Sequence, residues 1–405
     1  MYKIKKESLK ALYAAIAEQY DLFLPVKSAG QTNFGLWTED AEADIDTLKT
    51  VKSAKDIFFP QSEALYQVRR REGKLEIQPG KERKITSFKA HATKLEIQRE
   101  SLRQTPFVVF GIRGCDVKGL AVLDKVFLSD PADSYYAARR QMGTVVSLAC
   151  SRPETSCFCK VFGVDCAGPE GDVVTWLVGE TLYWQPKTEN GEALTAQLAG
   201  LLENAEADAV EAEKQKIHAI VEKLPYSKLS LDNWGAAAAD RNFDSPLWEK
   251  LYHPCLACGT CTFVCPTCQC YDIKDFNTGN GVIRYRCWDS CMYSDFTKMA
   301  HGNNRLTQKE RFRQRFMHKL AYYPANNEGM FSCVGCGRCY VSCYDGGHQA
   351  IDWDAENRKP VLNQECVGCH LCLNVCPIQN CITPGELVWK EGRPQTEVKL
   401  KSIYE

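Results

Sequence analysis

One cysteine spacing recurs three times in the C-terminal part of the chain, and it leaves little room for chemistry other than iron. The runs are Cys255-Leu-Ala-Cys258-Gly-Thr-Cys261-Thr-Phe-Val-Cys265, Cys333-Val-Gly-Cys336-Gly-Arg-Cys339-Tyr-Val-Ser-Cys343 and Cys366-Val-Gly-Cys369-His-Leu-Cys372-Leu-Asn-Val-Cys376. Each reads C-x2-C-x2-C-x3-C, and Pro266 and Pro377 follow the first and third, whereas Tyr344 follows the second. A cubane cluster needs one thiolate per iron. Three closely spaced cysteines wrap three corners, and in two-cluster ferredoxins the fourth crosses to the neighbouring cluster. Structural zinc sites instead use C-x2-C pairs parted by a longer loop. The chain holds 22 cysteines, 17 of them from Cys255 onward, a density that a reducing compartment tolerates as metal ligands and not as disulfides.

The second and third runs lie close enough to exchange fourth ligands. That geometry assigns Cys333, Cys336, Cys339 and Cys376 to one cluster, and Cys366, Cys369, Cys372 and Cys343 to another. The first run has further thiols nearby in Cys268, Cys270, Cys287 and Cys291, and by count residues 255–291 could hold two clusters. Cys268, Cys270 and Cys291 are the candidates for completing such a site. The plainer reading of Cys268, Cys270 and Cys287 is small side chains lining a pocket. Near the N-terminus, Cys115 and Cys150 each follow an apolar run that reads as a strand, with Cys157 and Cys159 on the next loop. Four thiols converging there make a further cluster site, against the alternative of buried free thiols. Cys166 and Cys381 are left to packing.

The rest of the chain reads as a framework. Residues 6–20 pattern as a helix with Leu9, Leu12, Tyr13 and Ile16 on one face. Phe107–Ile112 and Thr144–Cys150 read as buried strands, and 172–184 as a hairpin about Gly179. Residues 193–224 carry one long helical pattern. The polar stretch 225–245 suggests a boundary. The basic stretch 305–319 reads as a solvated helix face or, alternatively, as a docking surface or positive charge that stabilises reduced clusters. A net charge of −1 argues against nucleic acid, and the apolar runs are too short for a membrane span. The N-terminus lacks a secretory pattern, which points to the cytoplasm. No G-x-G-x-x-G follows a predicted strand, so no flavin or nicotinamide site is identified.

The quoted motifs, with GIRGCDVKGLAVLD, CSRPETSCFC, RCWDSCMYSDFTKMAHGNN and RFRQRFMHK, resemble the iron–sulfur beta subunit of cytosolic sulfhydrogenases over about residues 1–343, and equally the corresponding iron–sulfur subunit of anaerobic sulfite reductase. The C-terminal stretch resembles the ferredoxin tail of bacterial dihydropyrimidine dehydrogenase. The first resemblance implies pairing of the Cys333 run with the Cys255 run through Cys265 and Cys343; the second implies the Cys333–Cys366 pairing, which the short link favours. Together they imply an α+β chain: an N-terminal mixed α/β domain (1–230), a mainly helical, loop-rich Fe–S region (245–330) and a bacterial-type 2[4Fe–4S] ferredoxin fold (331–405). They imply an electron-transfer subunit whose partners are a flavin-containing NAD(P)H reductase and a hydrogenase, sulfite reductase or other catalytic subunit, or ferredoxin.

Two other readings compete. A catalytic reductase subunit would keep an open cluster corner for a sulfur compound, for instance at Cys268, Cys270 and Cys291. A redox-sensing regulator would need a DNA-binding pattern, which is not seen. The motifs give four [4Fe–4S] clusters, five if residues 255–291 hold two. Anaerobically purified protein is therefore expected to contain at least about sixteen irons and as many acid-labile sulfides per chain; about eight irons, or zinc in place of iron, would refute this reading.

Overall fold

The computed structural model describes residues 1–28, 31–70, 95–255, 257–279 and 281–342, and short strands between 351 and 400. Cys343, Cys366, Cys369, Cys372, Cys376 and Cys381 lie outside the described residues, and so does the link between the second and third motifs apart from those strands.

The apolar runs form the centre of a mixed sheet. Its strands are β1 (Tyr2–Lys5), β2 (Asp21–Ser28), β3 (Gln31–Leu36), β6 (Phe107–Ile112), β7 (Gly143–Leu148), β8 (Val173–Val178), β9 (Thr181–Pro186) and β10 (Glu203–Asn204). Their order is β10-β1-β9-β8-β7-β6-β2-β3. The β2–β6, β6–β7 and β7–β8 pairs are parallel. A parallel strand covered on both faces must be apolar along its whole length, and every residue of β6 and β7 is buried. Val108 and Phe110 face α1 (Leu9–Ala17) and its Leu12, Tyr13 and Ile16. Phe107, Val109 and Ile112 share the other side with Phe58, with Leu120, Leu123 and Phe127 of α2 (Gly114–Phe127) and with Tyr136 of α3 (Ser134–Met142). The strand keeps Ile112 on that second side through a register shift between Phe110 and Ile112, with Gly111 at φ 81°. Such a bulge re-aims the residues that follow it, here Arg113, Gly114 and Cys115.

The helix expected over 193–224 is two helices, α4 (Glu189–Gln197) and α5 (Asp208–Val221), separated by β10. Gly200 and Asn204 interrupt the helical run, and the intervening residues pair with β1 instead. Residues 245–330 also depart from the mainly helical expectation. β11 (Tyr271–Asn277) and β12 (Gly281–Trp288) form a hairpin, and β12 pairs with β4 (Ser62–Arg70), which pairs with β5 (Leu95–Arg99). This sheet joins residues from both sides of the 225–245 segment. Arg286, 3 % exposed, ties it down by bonding Glu63 (Nη2 to Oε1 2.9 Å) and Asp133.

Candidate metal centres

The first two motifs have the same backbone. Ala257 and Gly335, between the first and second cysteines, sit at φ 57° and 60°. Gly259 and Gly337, between the second and third, sit at 75° and 73°. Each run then enters a short helix, α6 (Thr260–Phe263) or α8 (Arg338–Tyr340), and these two helices pack against each other. Positive φ at two alternate positions curls each loop about a centre, leaving backbone N–H groups free to turn inward.

Three nests of thiols result. Cys261 lies within electrostatic reach of Cys258, Cys291 and Cys339, and burial pushes its thiol up to about 12. Cys270 and Cys291 touch through their thiols. Cys255 Sγ accepts a hydrogen bond from Gln308 Nε2 at 3.2 Å. The second nest gathers Cys333, Cys336 and Cys339 with Cys265. Burial raises Cys333 to about 11 and Cys336 to about 12, whereas the neighbouring Cys268 thiol holds Cys265 well below its ordinary value. Cys265 thus stands beside the Cys333 run, in the place that ligand exchange gave to Cys376, which is outside the described residues. The third nest brings Cys115, Cys150 and Cys159 together, as expected, and adds Cys166. Cys287, on β12, has Lys274, Asp272 and Asp289 as its charged neighbours. Among the described residues no three His, Cys, Asp or Glu side chains close on a single point as ligands of one ion would.

Buried cations surround the second nest. Lys55, Arg315 and Lys319 are 3 %, 5 % and 8 % exposed. Lys55 Nζ donates to Cys268 O at 3.0 Å and lies 3.6 Å from the centre of the Trp288 ring. Arg315 donates to Cys268 Sγ at 3.3 Å and to Cys261 O at 2.6 Å. Lys319 donates to Thr267 Oγ1 at 2.6 Å and Ser332 O at 3.2 Å. Helix α7 (Gln308–Met317), opened by a Thr307–Glu310 capping box, carries Arg315; it widens into a π turn at His318–Tyr322 that carries Lys319. None of the three meets a carboxylate within ion-pair distance among the described residues. Burying an unpaired cation costs several kcal/mol, so this nest is built for an anionic occupant. A cubane on four thiolates is anionic, and the residues fit it. Burial lowers Arg315, but the thiols of Cys261, Cys268, Cys339 and Cys265 more than offset that and hold it well above its ordinary value. The basic stretch thus divides: Arg315 and Lys319 turn inward to the thiols, while Arg313 covers Phe243 at the surface.

The second and third nests abut. Phe158 N donates to Gly335 O at 2.9 Å. A Cβ on Gly335 would lie 2.4 Å from Phe158 O, and one on Gly337 would lie 2.4 Å from Ser156 O. Arg338, between Cys336 and Cys339, pairs with Asp116, the residue after Cys115, with Nη2 to Oδ2 at 2.8 Å. The two side chains are 3 % and 2 % exposed. Sequence reasoning gave no role to Lys55, Arg338 or Asp116; Arg315 and Lys319 it read only as members of the basic stretch 305–319. The charge of the stretch as a whole was the signal, and the structure shows which of its members face inward.

The pattern describing a 4Fe–4S dicluster domain matches residues 254–346, and a second such pattern matches 330–383. Both spans are 4Fe–4S dicluster domains. Two of them imply about four clusters. The Cys333 motif lies in both spans, so the three motifs together supply twelve thiolates, and a fourth cluster would draw on cysteines outside them. The chain is 29 % identical to sulfhydrogenase 2 subunit beta of Pyrococcus furiosus over 84 % of its length and 93 % of that protein's. A stretch of 79 residues is 46 % identical to the PreA subunit of NAD-dependent dihydropyrimidine dehydrogenase of Escherichia coli K12, covering 19 % of this chain and 18 % of that one. A stretch of 51 residues is 39 % identical to pyruvate synthase subunit PorD of Methanocaldococcus jannaschii, covering 13 % of this chain and 55 % of that one. No solved structure matches the chain.

Asp116→Asn leaves a buried guanidinium facing a neutral amide. It is expected to destabilise the protein by about 3–5 kcal/mol, read as a lowered midpoint in anaerobic denaturant titration; a change under about 0.5 kcal/mol would show that the pair does not hold the nests together.

Proposed function

We infer that this chain is an iron–sulfur electron-transfer subunit of a multi-subunit oxidoreductase. The observation that carries the reading is the buried, carboxylate-free cation set Lys55, Arg315 and Lys319 closed over the Cys265, Cys268 and Cys333–Cys339 thiols, within a span matched as a 4Fe–4S dicluster domain. Bound clusters would store and pass single electrons. The chain's own residues shield them from water, fix the thiolates and set the local potential through buried positive charge.

The nearness of Cys265 to Cys333 and Cys336 supports Cys265 as the fourth thiolate of the Cys333, Cys336 and Cys339 set. Cys343 would then serve Cys255, Cys258 and Cys261. The exchange with Cys376, Cys366, Cys369 and Cys372 remains the alternative for residues 331–405, read as a ferredoxin-like domain. On the motif resemblance set out above, the donor is a flavin-containing NAD(P)H reductase subunit. The acceptor is a hydrogenase or other catalytic subunit, or ferredoxin, in the cytoplasm. No helix of the described residues is long and apolar enough to cross a membrane. A substrate-reducing role finds less support, because Cys268, Cys270 and Cys291 each have a thiol neighbour and sit among buried groups.

Two measurements test this. Dithionite should bleach the visible absorbance of the isolated chain and produce several one-electron signals, whereas NADH should bleach it only after a flavoprotein partner is added; turnover of a sulfur compound by the chain alone, with dithionite, would favour the catalytic reading instead. Lys319→Met should make one cluster's potential more negative, by tens of mV to about 100 mV, as one unit charge several Å away contributes at an effective dielectric of about 20. An unchanged potential at every cluster would remove the assigned role of the buried cations.

A further inference from the structure

We propose that a cluster in the N-terminal α/β domain is held by Cys115, Cys150, Cys159 and Cys166, with Cys157 outside the ligand set. The proposal rests on the reading of the chain as an iron–sulfur protein and names the residues of one site within it. The expected quartet was Cys115, Cys150, Cys157 and Cys159; the fold exchanges one member for a cysteine that sequence reasoning left to packing.

The exchange follows from how the chain runs. The bulge at Gly111 ends β6 and places Cys115 in the first turn of α2. Cys150 follows the end of the neighbouring parallel strand β7, so these two thiols stand at the same edge of the sheet. Phe158 then breaks the extended path, at φ −145° and ψ 29°, and its backbone is committed to Gly335. In an extended chain residues two apart point alike; this break removes that relation between Cys157 and Cys159. A single turn at Cys159–Phe162, closed by Gly163 at φ 71°, folds the chain back. The return leg brings Cys166 across, and Cys150 N donates to Cys166 O at 2.9 Å. Cys159 and Cys166 are 8 % and 5 % exposed and share a buried apolar cluster with Val164, Ala167, Ile217 and Val221, against which Cys115 and Cys150 pack. Cys157 lies outside that apolar cluster, on its rim, with its thiol within electrostatic reach of Cys150 and Cys159 and of the Lys49 ammonium.

A second observation points to an anionic occupant. Arg113, 6 % exposed, lies within electrostatic reach of Cys150 and Cys115. Its guanidinium bonds only backbone carbonyls, those of Ala149 at 2.7 Å, Ile45 at 2.9 Å, Thr47 at 3.0 Å and Leu148 at 3.4 Å. Among the described residues no carboxylate lies within ion-pair distance of it. Four thiolates sharing a cubane would supply the compensating charge, each thiol releasing its proton as its sulfur binds iron.

The test uses the full chain, purified anaerobically and reconstituted with ferrous iron and sulfide, as parent and as Cys166→Ala, Cys157→Ala and Cys115→Ala. Iron, sulfide and the electron paramagnetic resonance of the reduced and oxidised forms are measured. Cys166→Ala and Cys115→Ala should each lose about four irons, or about one with a [3Fe–4S] signal appearing, while Cys157→Ala keeps the parent's content. Loss in Cys157→Ala, or full retention in Cys166→Ala, overturns the ligand set. If Cys166→Ala does not fold, as far-UV circular dichroism would tell, Cys166→Ser decides: an oxygen ligand should alter one cluster's signal, and an unaltered spectrum overturns the proposal. Iron in the parent that none of these changes touches would discard this site and leave the electron-transfer reading standing. A parent without iron would discard both.

Discussion

The Arg338–Asp116 ion pair joins the two halves of the molecule where their cysteines meet. Both side chains are almost wholly buried, and Arg338 also donates to Thr50 O at 2.9 Å and Thr50 Oγ1 at 3.2 Å. A buried pair of this kind is stabilising only when the geometry is good and the remaining donors are satisfied, and here the planar fork of the guanidinium meets a carboxylate and a threonine at once. Its ends belong to the first turn of α2, beside Cys115, and to the loop between Cys336 and Cys339. Around it Ser156 and Phe158 lie on Gly335 and Gly337 closely enough that neither glycine position has room for a Cβ. The contact therefore fixes how near the N-terminal thiols come to the ferredoxin-like ones. For a protein that passes electrons, that spacing is the functional quantity.

The interior of the cysteine-bearing region is organised by charge as much as by apolar packing. Arg113, Lys55, Arg315 and Lys319 are all nearly inaccessible and lack carboxylate partners among the described residues. Their hydrogen bonds go to carbonyls, a hydroxyl and one thiol. Elsewhere the chain pairs its buried arginine in the ordinary way, as Arg286 does with Glu63 and Asp133. The contrast marks the unpaired set as suited to an anionic occupant. It also accounts for the π turn at His318–Tyr322, because a shift of helical register is a local device for aiming a side chain inward, and Lys319 is the one so aimed.

Much of the scaffold was legible in the sequence. The Leu9, Leu12, Tyr13 and Ile16 stripe, the apolar runs of β6 and β7 and the hairpin about Gly179 follow from periodicity and turn chemistry, which act over a few residues. The single helix over 193–224 was misread because its Ala-, Glu- and Lys-rich composition continues through Gly200 and Asn204, where pairing with β1 takes over. The β11–β12 hairpin was hidden because it is completed by β4, more than two hundred residues earlier. Among the site residues, Cys115, Cys150, Cys157 and Cys159 were expected to meet: the first two and Cys159 pack in one cluster with Cys157 at its rim, and Cys166, which joins them, had no local motif to announce it.

The sequence by itself determined the metal chemistry, since the ligands of a cubane motif are neighbours in the chain and the x2 spacings with their left-handed positions specify the loop without help. Which further thiols stand beside each set was decided only by tertiary structure. A fourth ligand arrives from a distant segment, and whether Cys265 stands beside Cys333, or Cys166 beside Cys159, depends on the bulge at Gly111, the turn at Gly163 and the packing of α6 on α8. The same holds for the buried cations. A lysine in a basic stretch looks like any other until the fold closes over it, because burial and the absence of a carboxylate are properties of the surroundings and not of the residue.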